Sequence, residues 1–466
     1  MKKYFAMIMT VLLSLNLLTG CGSGSSNQST PSQEPTAATE EATTPPSEEA
    51  DSPTAEEEKV TIKVAALDSA YGSEMWSKVK DAFESQVEGV SVELITDKKL
   101  EDVIGPSMKA GDFPDVVHLA VGREEALTET LIKENAILEL TDVLEMTIPG
   151  ESTVVKDKIV PGFTDTLITN PYNDKKTYLA PMFYGPCGLF YNEGLFEEKG
   201  WTVPETWDEM WELGEKAKAE NISLFTYPTT GYFDAFFFAL LNVTGGPTLF
   251  NDAMTYSEGV WDRPEAKEAF DIVAKLAEYT EPSTPANANG DNFTKNQQLI
   301  LDNKALFMPN GTWVVDEMKD APRADGFKWG FTALPSAKSG GDKYSYTFFE
   351  QCWIPSGSKN IDLAKQFVAF MYSDAAAEIF AESGAIQPIK DISSKLTGDN
   401  QLFYQIYDSG AKAAMGGFAG TEAVEGVSMA DTLFETVNSL VSGNKTEDEW
   451  IESVKQVSDT LRGALK

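Results

Sequence analysis

The stretch VTIKVAALDSAYGSEMWSKVKDAFESQVEGVSVELI, residues 60–95, shows two strand patterns separated by a helix pattern. Residues 60–66 and 90–95 are rich in β-branched and apolar residues, which favours strands. Residues 74–86 repeat apolar side chains at helical spacing and predict an amphipathic helix. The stretch therefore predicts the start of a β-α-β unit.

The same alternation continues along the chain. Residues 100–108 predict a second helix, and residues 114–120, PDVVHLA, predict a third strand. A β-α-β-α-β order indicates a parallel sheet with helices on both faces. Ligands of such sheets lie beyond the carboxyl ends of the strands, where Asp68, Tyr71 and Arg123 follow the first and third strands.

The N-terminus has the pattern of an export signal. Two lysines precede an apolar run over residues 4–18, and small residues lead into Cys21. The run is short for a membrane span and typical of a secretory signal peptide, and its end resembles the bacterial lipobox. That resemblance implies removal of residues 1–20 and lipid attachment to Cys21. The alternative is an ordinary signal peptide with a cysteine near its cleavage site.

Residues 22–58 have a composition that cannot form a core. They contain nine acidic residues, no basic residue and no aromatic residue. Such a segment buries too little apolar surface to offset its ordering entropy. We expect residues 21–58 to be a lipidated cysteine followed by a disordered acidic linker, and the protein to be tethered to the extracytoplasmic face of the cell membrane.

The remaining residues, from about 59 to 466, are too many for one hydrophobic core and predict two lobes. The whole chain is 42% hydrophobic and carries a formal net charge of −36. This charge argues against nucleic acid or an anionic lipid surface as a partner. Cys187 and Cys352 have no metal-ligand spacing, and two thiols do not make a disulfide framework. We expect two buried free thiols, with a disulfide between them as the alternative.

Several sequence blocks in the rest of the chain form an ordered set. The blocks are PDVV at 114–117, YLAP at 178–181, LFYN at 189–192, PETWDE at 204–209, NKA at 303–305, NGTW at 310–313, ALP at 333–335 and IPSGSKN at 354–360. In this order they resemble the extracellular solute-binding proteins of carbohydrate ABC importers. The resemblance includes the branch of maltodextrin-binding and N-acetylglucosamine-oligosaccharide-binding proteins.

The resemblance implies a two-lobed fold like that of type II periplasmic binding proteins. Each α/β lobe is expected to contain a mostly parallel sheet, with residues 59–184 and 329–384 in one lobe and 185–328 and 385–466 in the other. Strands crossing between the lobes would form a hinge that closes on a sugar. The implied partners are a carbohydrate, which we expect to be a neutral di- or oligosaccharide, and ABC permease subunits with their ATPase. We expect a monomer with no cofactor.

Sugar binding requires aromatic rings against the C–H face of a pyranose and polar side chains at its hydroxyls. By the resemblance and by position, ten residues are candidate ligand contacts. They are Asp68, Tyr71, Arg123, Tyr184, Tyr232, Asp234, Trp313, Phe349, Glu350 and Phe418.

Several of these candidates could instead have a purely structural role. Trp313 and Phe349 also suit a hydrophobic core, and Arg123 also suits a salt bridge. The one histidine, His118, falls within the third predicted strand and is interpreted as a hydrogen-bonded interior residue. The polar loop at 288–292 lacks the spacing of a twelve-residue calcium loop, so we expect a solvated turn and no metal.

Two other functional classes remain open from the residues alone. A surface glycan-active enzyme would use two carboxylates for catalysis. Because the chain has 73 acidic residues, the presence of two carboxylates does not distinguish an enzyme from a binding protein. No nucleophile or phosphate-binding motif stands out, and we expect no catalytic activity. A non-catalytic adhesin or scaffold on the same tether is the second alternative.

Overall fold

The computed structural model of the chain describes residues 59–69, 71–123, 125–164 and 166–465. All of these residues belong to one compact unit. The predicted signal peptide, Cys21 and the acidic linker lie outside the described residues.

Nine strands are present in the described part of the chain. They are β1 Val60–Leu67, β2 Val90–Asp97, β3 Val116–His118, β4 Ala180–Asn192, β5 Ser223–Phe225, β6 Ala305–Gly311, β7 Trp329–Thr332, β8 Tyr344–Trp353 and β9 Lys412–Ala414.

Helices surround these strands. They are α1 Glu74–Gln86, α2 Leu100–Lys109, α3 Leu127–Lys133, α4 Thr141–Leu144, α5 Val155–Lys158, α6 Glu193–Lys199, α7 Trp207–Ala219, α8 Phe233–Met254, α9 Pro264–Glu278, α10 Thr284–Asn287, α11 Phe293–Leu301, α12 Val314–Glu317, α13 Ile361–Phe370, α14 Asp374–Glu382, α15 Gly398–Asp408, α16 Thr436–Val441 and α17 Glu447–Arg462.

The opening β-α-β-α-β prediction is confirmed, with one strand shorter than expected. β1 pairs in parallel with both β2 and β3. β3 covers Val116–His118, whereas the sequence pattern predicts a strand over residues 114–120. The Asp115 amide still donates to the Lys63 carbonyl of β1, while its carboxylate accepts hydrogen bonds from Ser358, Lys359 and Asn360.

The sheet is mixed, which corrects the expectation of mostly parallel sheets. The strand order is β2-β1-β3-β8-β4-β6-β5, with β7 on β4 and β9 on β8. All pairings that join β4 to β6, β7 and β8 are antiparallel, as is that of β3 with β8. Parallel neighbours arise where a helix returns the chain, whereas β4 and β8 run through the sheet in opposite directions.

The long strands β4 and β8 connect two large hydrophobic cores. Core A contains Phe183 of β4 and Phe349 of β8, together with the residues around α1, α13 and α14. Core B contains Leu189 of β4 and Tyr346 of β8, together with residues of α7, α8, α9 and α17. The two strands pair with each other along their length, with one register shift, and both extend from core A into core B. This is the arrangement expected for two lobes joined by crossing strands.

A smaller core C lies on the other side of β1. Ala65 and Leu67 belong to core C, whereas Val64 and Ala66 belong to core A, as the alternation of a strand requires. Ile386 and Phe403, which belong to the predicted second lobe at 385–466, also pack in core A. The predicted lobe boundaries, 59–184 with 329–384 and 185–328 with 385–466, stay a prediction.

Helix α8 is long and apolar enough, by length and composition, to cross a membrane. Most of its apolar side chains, such as Phe237 and Leu240, are buried inside core B, and Gly246 interrupts its helical backbone. A helix that is apolar on all sides is typical of the interior of a large protein as well as of a membrane span. We therefore interpret α8 as the central helix of core B.

The two described cysteines are free and buried, as predicted. Cys187 lies opposite Tyr346 in the β4–β8 ladder, whereas Cys352 lies opposite Ala180. Tyr346 and Cys352 are six residues apart along β8, about 20 Å at the rise of a strand. A disulfide requires Cα atoms within about 7 Å, so the strand register itself keeps the thiols apart.

Candidate functional site

A pocket opens where β4, β6, β8 and the start of α8 meet. Its volume is about 190 Å³. The residues that line it are Cys187, Gly231, Tyr232, Asp234, Ala235, Asn310, Gly311, Trp313 and Phe348. Three of the ten predicted contacts, Tyr232, Asp234 and Trp313, are thus brought together from segments far apart in the sequence.

Trp313 follows the end of β6 and forms one wall of the pocket. Its indole lies over Gly311, where a Cβ atom would come within 2.1 Å of the ring. Only glycine leaves room for this approach. The ring also meets Tyr232 edge-on at 5.7 Å and Phe348 at 6.2 Å between centroids. Trp313 is partly buried against core B, so its face is held in place by packing.

Tyr232 and Asp234 are placed by the turn that starts α8. The side chain of Thr229 accepts a hydrogen bond from the Tyr232 amide and caps a short turn before the helix. Asp234 lies in the first turn of α8, and its Oδ1 accepts from the Ala235 amide at 2.5 Å. Burial raises the pKa of Asp234 to about 6, against the opposing effect of this hydrogen bond. The carboxyl group is therefore ionised at neutral pH and protonated at pH 5.

Phe348, and not the predicted Phe349, lines the pocket. Side chains alternate along β8, and Phe348 is 50% exposed while Phe349 packs in core A. Phe349 meets Phe163 at 6.0 Å between ring centroids. The period of a strand could have identified Phe348 from the sequence, because Glu350 was also predicted as a contact and lies on the same face as Phe348.

Glu350 and Tyr71 form a second polar group next to the pocket. Burial and the negative charge of Glu350 together raise the pKa of Tyr71 to about 12, so its hydroxyl stays protonated. The Oε2 atom of Glu350 lies 3.2 Å from Nε2 of His118. The Tyr71 ring meets Phe183 edge-on at 5.6 Å. His118 is buried, as predicted, although no hydrogen bond within the described residues satisfies either ring nitrogen.

Asp68 and Arg123 do not line the pocket. Asp68 is half-buried just beyond β1, and its amide donates to the Asp97 carbonyl at 3.0 Å. Arg123 forms a bidentate ion pair with Glu101 of α2, a side chain that is only 5% exposed. Glu101 thus occupies the guanidinium group of Arg123, which fits the salt-bridge alternative.

Tyr184 and Phe418 do not line the pocket. Tyr184 is 3% exposed and packs edge-on against Phe163 and Tyr404 in core A. Phe418 is partly buried, packs against core B and stacks on Tyr256 at 5.9 Å. Like Phe349, both are predicted aromatic contacts whose rings pack outside the pocket.

The pocket offers aromatic walls and few charges. Among its lining residues only Asp234 carries a formal charge at neutral pH, while burial raises the pKa of the Tyr232 hydroxyl and of the Cys187 thiol. A protonated thiol is a poor nucleophile. Within the described ranges no group of three His, Cys, Asp or Glu side chains could hold a metal ion. The arrangement suits a neutral ligand with an apolar face and a hydroxyl rim.

Comparison with known proteins places this chain in a sequence family. The profile described as bacterial extracellular solute-binding protein matches residues 78–403. The diacetylchitobiose binding protein NgcE of Streptomyces coelicolor is 25% identical over 336 residues, which cover 69% of this chain and 68% of the relative. The multiple sugar-binding protein of Streptococcus mutans is 24% identical over 337 residues, covering 69% and 73%.

Comparison of structures confirms the predicted two-lobed α/β fold class. The apo-form of RafE from Streptococcus pneumoniae superposes with a TM-score of 0.60 at 19% identity. The match covers 87% of this chain and 98% of RafE. At this identity the likeness establishes the fold.

Proposed function

Because this chain belongs to the bacterial extracellular solute-binding proteins, we propose that it captures a neutral saccharide and delivers it to an ABC importer. Trp313, Tyr232 and Phe348 would cover the C–H faces of a sugar ring, and Asp234 would accept hydrogen bonds from its hydroxyls. Closure of the two lobes on the ligand would mark the loaded state for the permease and its ATPase.

One observation carries this proposal: three aromatic rings and one carboxylate converge on a single small pocket. A volume of about 190 Å³ lies below the range of roughly 300–1,000 Å³ for pockets that enclose a whole drug-sized ligand. The pocket therefore suits one sugar ring, with the rest of a longer ligand lying outside it. The names of two relatives, diacetylchitobiose binding protein and multiple sugar-binding protein, agree with a saccharide.

The family is extracellular, so the chain acts outside the cytoplasm. We further propose that Cys21 carries a lipid anchor and that residues 22–58 act as a flexible tether above the membrane. The pattern of residues 1–21 supports this proposal. A tethered monomer with a mobile linker would let the binding lobes reach the permease.

The solute-binding family supports a binding protein over the two alternatives. Its members are described by the solute they bind and not by a reaction. An adhesin or scaffold would have no use for a small pocket with aromatic walls. A glycan-active enzyme would release products from the same ligands that a binding protein leaves intact.

The test is a thermal-shift screen of diacetylchitobiose, maltotriose and raffinose, each beside its monosaccharides. A ligand that binds only the folded state increases the free energy of unfolding, by about 2.7 kcal/mol when its free concentration is a hundred times Kd. The unfolding midpoint rises as a result. We expect at least one saccharide to stabilise the protein and to be recovered unchanged after incubation. Cleavage products of the saccharide would support the enzyme. If none of the saccharides stabilises the protein, the proposal is contradicted.

Ligand affinity is expected to depend on pH through Asp234. The folded-state pKa of about 6 lies above the unfolded value of about 3.9, so the ionised form is the one that folding disfavours. The stability that this group contributes is present below pH 4 and lost as the pH rises through 6. A ligand hydroxyl that donates to the carboxylate needs the ionised form, so affinity at pH 5 should be about tenfold weaker than at pH 7.5.

Calorimetry on the wild type and Asp234→Asn at both pH values checks this prediction. The Asn variant should bind weakly at both values and lose the pH dependence. At pH 7.5 it should also be no less stable than the wild type, since the substitution removes a partly buried charge. A wild-type affinity that is flat between pH 5 and 7.5 would exclude the carboxylate as an acceptor for the ligand.

A further inference from the structure

Glu350 lies beside the pocket, on the same face of β8 as Phe348. Two residues along a strand span about 7 Å, and the burial pattern of β8 places both side chains on one side. A ligand unit that leaves the pocket over Phe348 therefore reaches Glu350 next. The pocket itself accommodates one ring, so Glu350 is in position to contact a second unit.

His118 is enclosed, and its imidazole lies against one oxygen of this carboxylate. The imidazole is 1% exposed, with the rings of Trp76 and Phe183 at 4.9 and 5.0 Å. β3 and β8 place it there, since His118 pairs with Cys352, two residues after Glu350. Its Nε2 atom lies 3.2 Å from Oε2 of Glu350, and both atoms are shielded from solvent. Buried polar groups in proteins normally have hydrogen-bond partners, so an enclosed imidazole with no other partner among the described residues calls for an explanation beyond packing.

Within the described residues, no hydrogen bond or second ion pair accounts for the position of Glu350. Its side chain is 25% exposed, and no lysine or arginine among the described residues forms an ion pair with it. No hydrogen bond from the described part of the chain reaches its second oxygen, Oε1. The hydroxyl of Tyr71 lies close enough for the carboxylate charge to act on it. A partly exposed carboxylate with one oxygen enclosed beside His118 keeps the other available to a hydrogen-bond donor.

We propose that Glu350 is the ligand contact of a second subsite and that His118 is the positioning residue that orients it. The ligand class is then a saccharide of at least two units, whose second unit donates a hydroxyl hydrogen bond to Glu350. This inference rests on the proposed function, since the first unit occupies the pocket at Trp313.

The experiment is a double-mutant cycle read by calorimetry on the full chain. The variants are Glu350→Gln, His118→Leu and the double substitution, and the probes are diacetylchitobiose, maltotriose and raffinose with the monosaccharides N-acetylglucosamine, glucose and galactose. Losing a hydrogen bond to a charged group should weaken the best longer saccharide about tenfold or more in Glu350→Gln. The affinity for its monosaccharide should change less than about twofold, because it occupies only the pocket.

His118→Leu should lose as much affinity for the longer saccharide as Glu350→Gln, and the double variant no more than either, because both act through one carboxylate. His118→Gln keeps an N–H donor and should recover most of the affinity. Phe380→Leu is the matched control, since Phe380 packs against Trp76 and Phe183 in the same cluster. It should lower the unfolding midpoint without changing affinity.

Two results would overturn the second subsite. One is an additive loss in the double variant, and the other is a Glu350→Gln variant that binds the longer saccharide as tightly as the wild type. A wild type that binds none of the six saccharides would instead refute the proposed function.

Discussion

Trp313→Ala is expected to weaken binding of the best saccharide about thirtyfold. Stacking covers about 80 Å² of apolar surface between the indole and the sugar, and at about 25 cal/mol per Å² this is about 2 kcal/mol. The ring lies over Gly311 between Tyr232 and Phe348, so its orientation is set before the ligand arrives. Calorimetry with the ligand found in the thermal-shift screen measures the change.

Two further variants separate stacking from general damage. Trp313→Phe keeps an aromatic face and should lose much less affinity than Trp313→Ala. Trp211→Ala is the matched control: Trp211 is a half-buried tryptophan on α7 that packs against Trp207 and lies under Lys275, away from the pocket. It should leave the affinity unchanged. A Trp313→Ala affinity within about twofold of the wild type, or ~0.4 kcal/mol, would show that the ring does not stack on the sugar.

Asp115→Ala is expected to give the largest loss of stability, about 3 kcal/mol or more. The carboxylate is 3% exposed and accepts hydrogen bonds from the Lys63 amide, the Ser358 hydroxyl and the amides of Lys359 and Asn360. It also accepts from the side-chain amide of Asn360 at 3.3 Å. Its removal leaves several donors unpaired in a site that is largely closed to water.

Thermal and urea unfolding of Asp115→Ala should show a clear drop in the midpoint. Asp112→Ala is the matched control, because Asp112 is an exposed carboxylate three residues away whose ion pair with Lys63 is 2.8 Å long. Exposed pairs contribute little, so the control should unfold like the wild type. Equal midpoints for the two variants would show that the Asp115 network does not stabilise the fold.

The bonds of Asp115 also join two of the sequence blocks that lie far apart in the chain. The PDVV block supplies the carboxylate before β3, and the IPSGSKN block supplies the donors in the loop before α13. The sequence shows both blocks but not that one binds the other, since some 240 residues separate them. Their contact joins β1, β3 and the start of α13 in one corner of the sheet.

Local patterns predicted much of the fold. Helix α1 begins and ends at the predicted residues, and α13 buries Phe367 and Val368, which stand at helical spacing in the sequence. Thr206 followed by Glu209 is the sequence pattern of a capping box. Thr206 caps α7 by accepting from the Glu209 amide, but the Glu209 side chain accepts from the Glu205 amide instead of the Thr206 amide. Such features depend on neighbours within four residues, and the sequence states those neighbours directly.

The candidate site was predicted only in part. Tyr232, Asp234 and Trp313 meet in the pocket, and Tyr71 and Glu350 lie together beside it. Phe349 was predicted in place of Phe348, although the period of β8 places Phe348 on the same face as Glu350. The engagement of Arg123 by Glu101 depended on a contact between separate elements.

By itself the sequence determined the alternation of strands and helices, the family and the residue types that suit a sugar, because periodicity and composition are local properties of the chain. Only the tertiary structure decided that β4 and β8 run antiparallel through both cores, that the thiols of Cys187 and Cys352 stay apart, and which side chains converge on one pocket. Those outcomes depend on strand register and on packing between segments hundreds of residues apart, where burial of apolar surface selects one arrangement among many that local patterns allow.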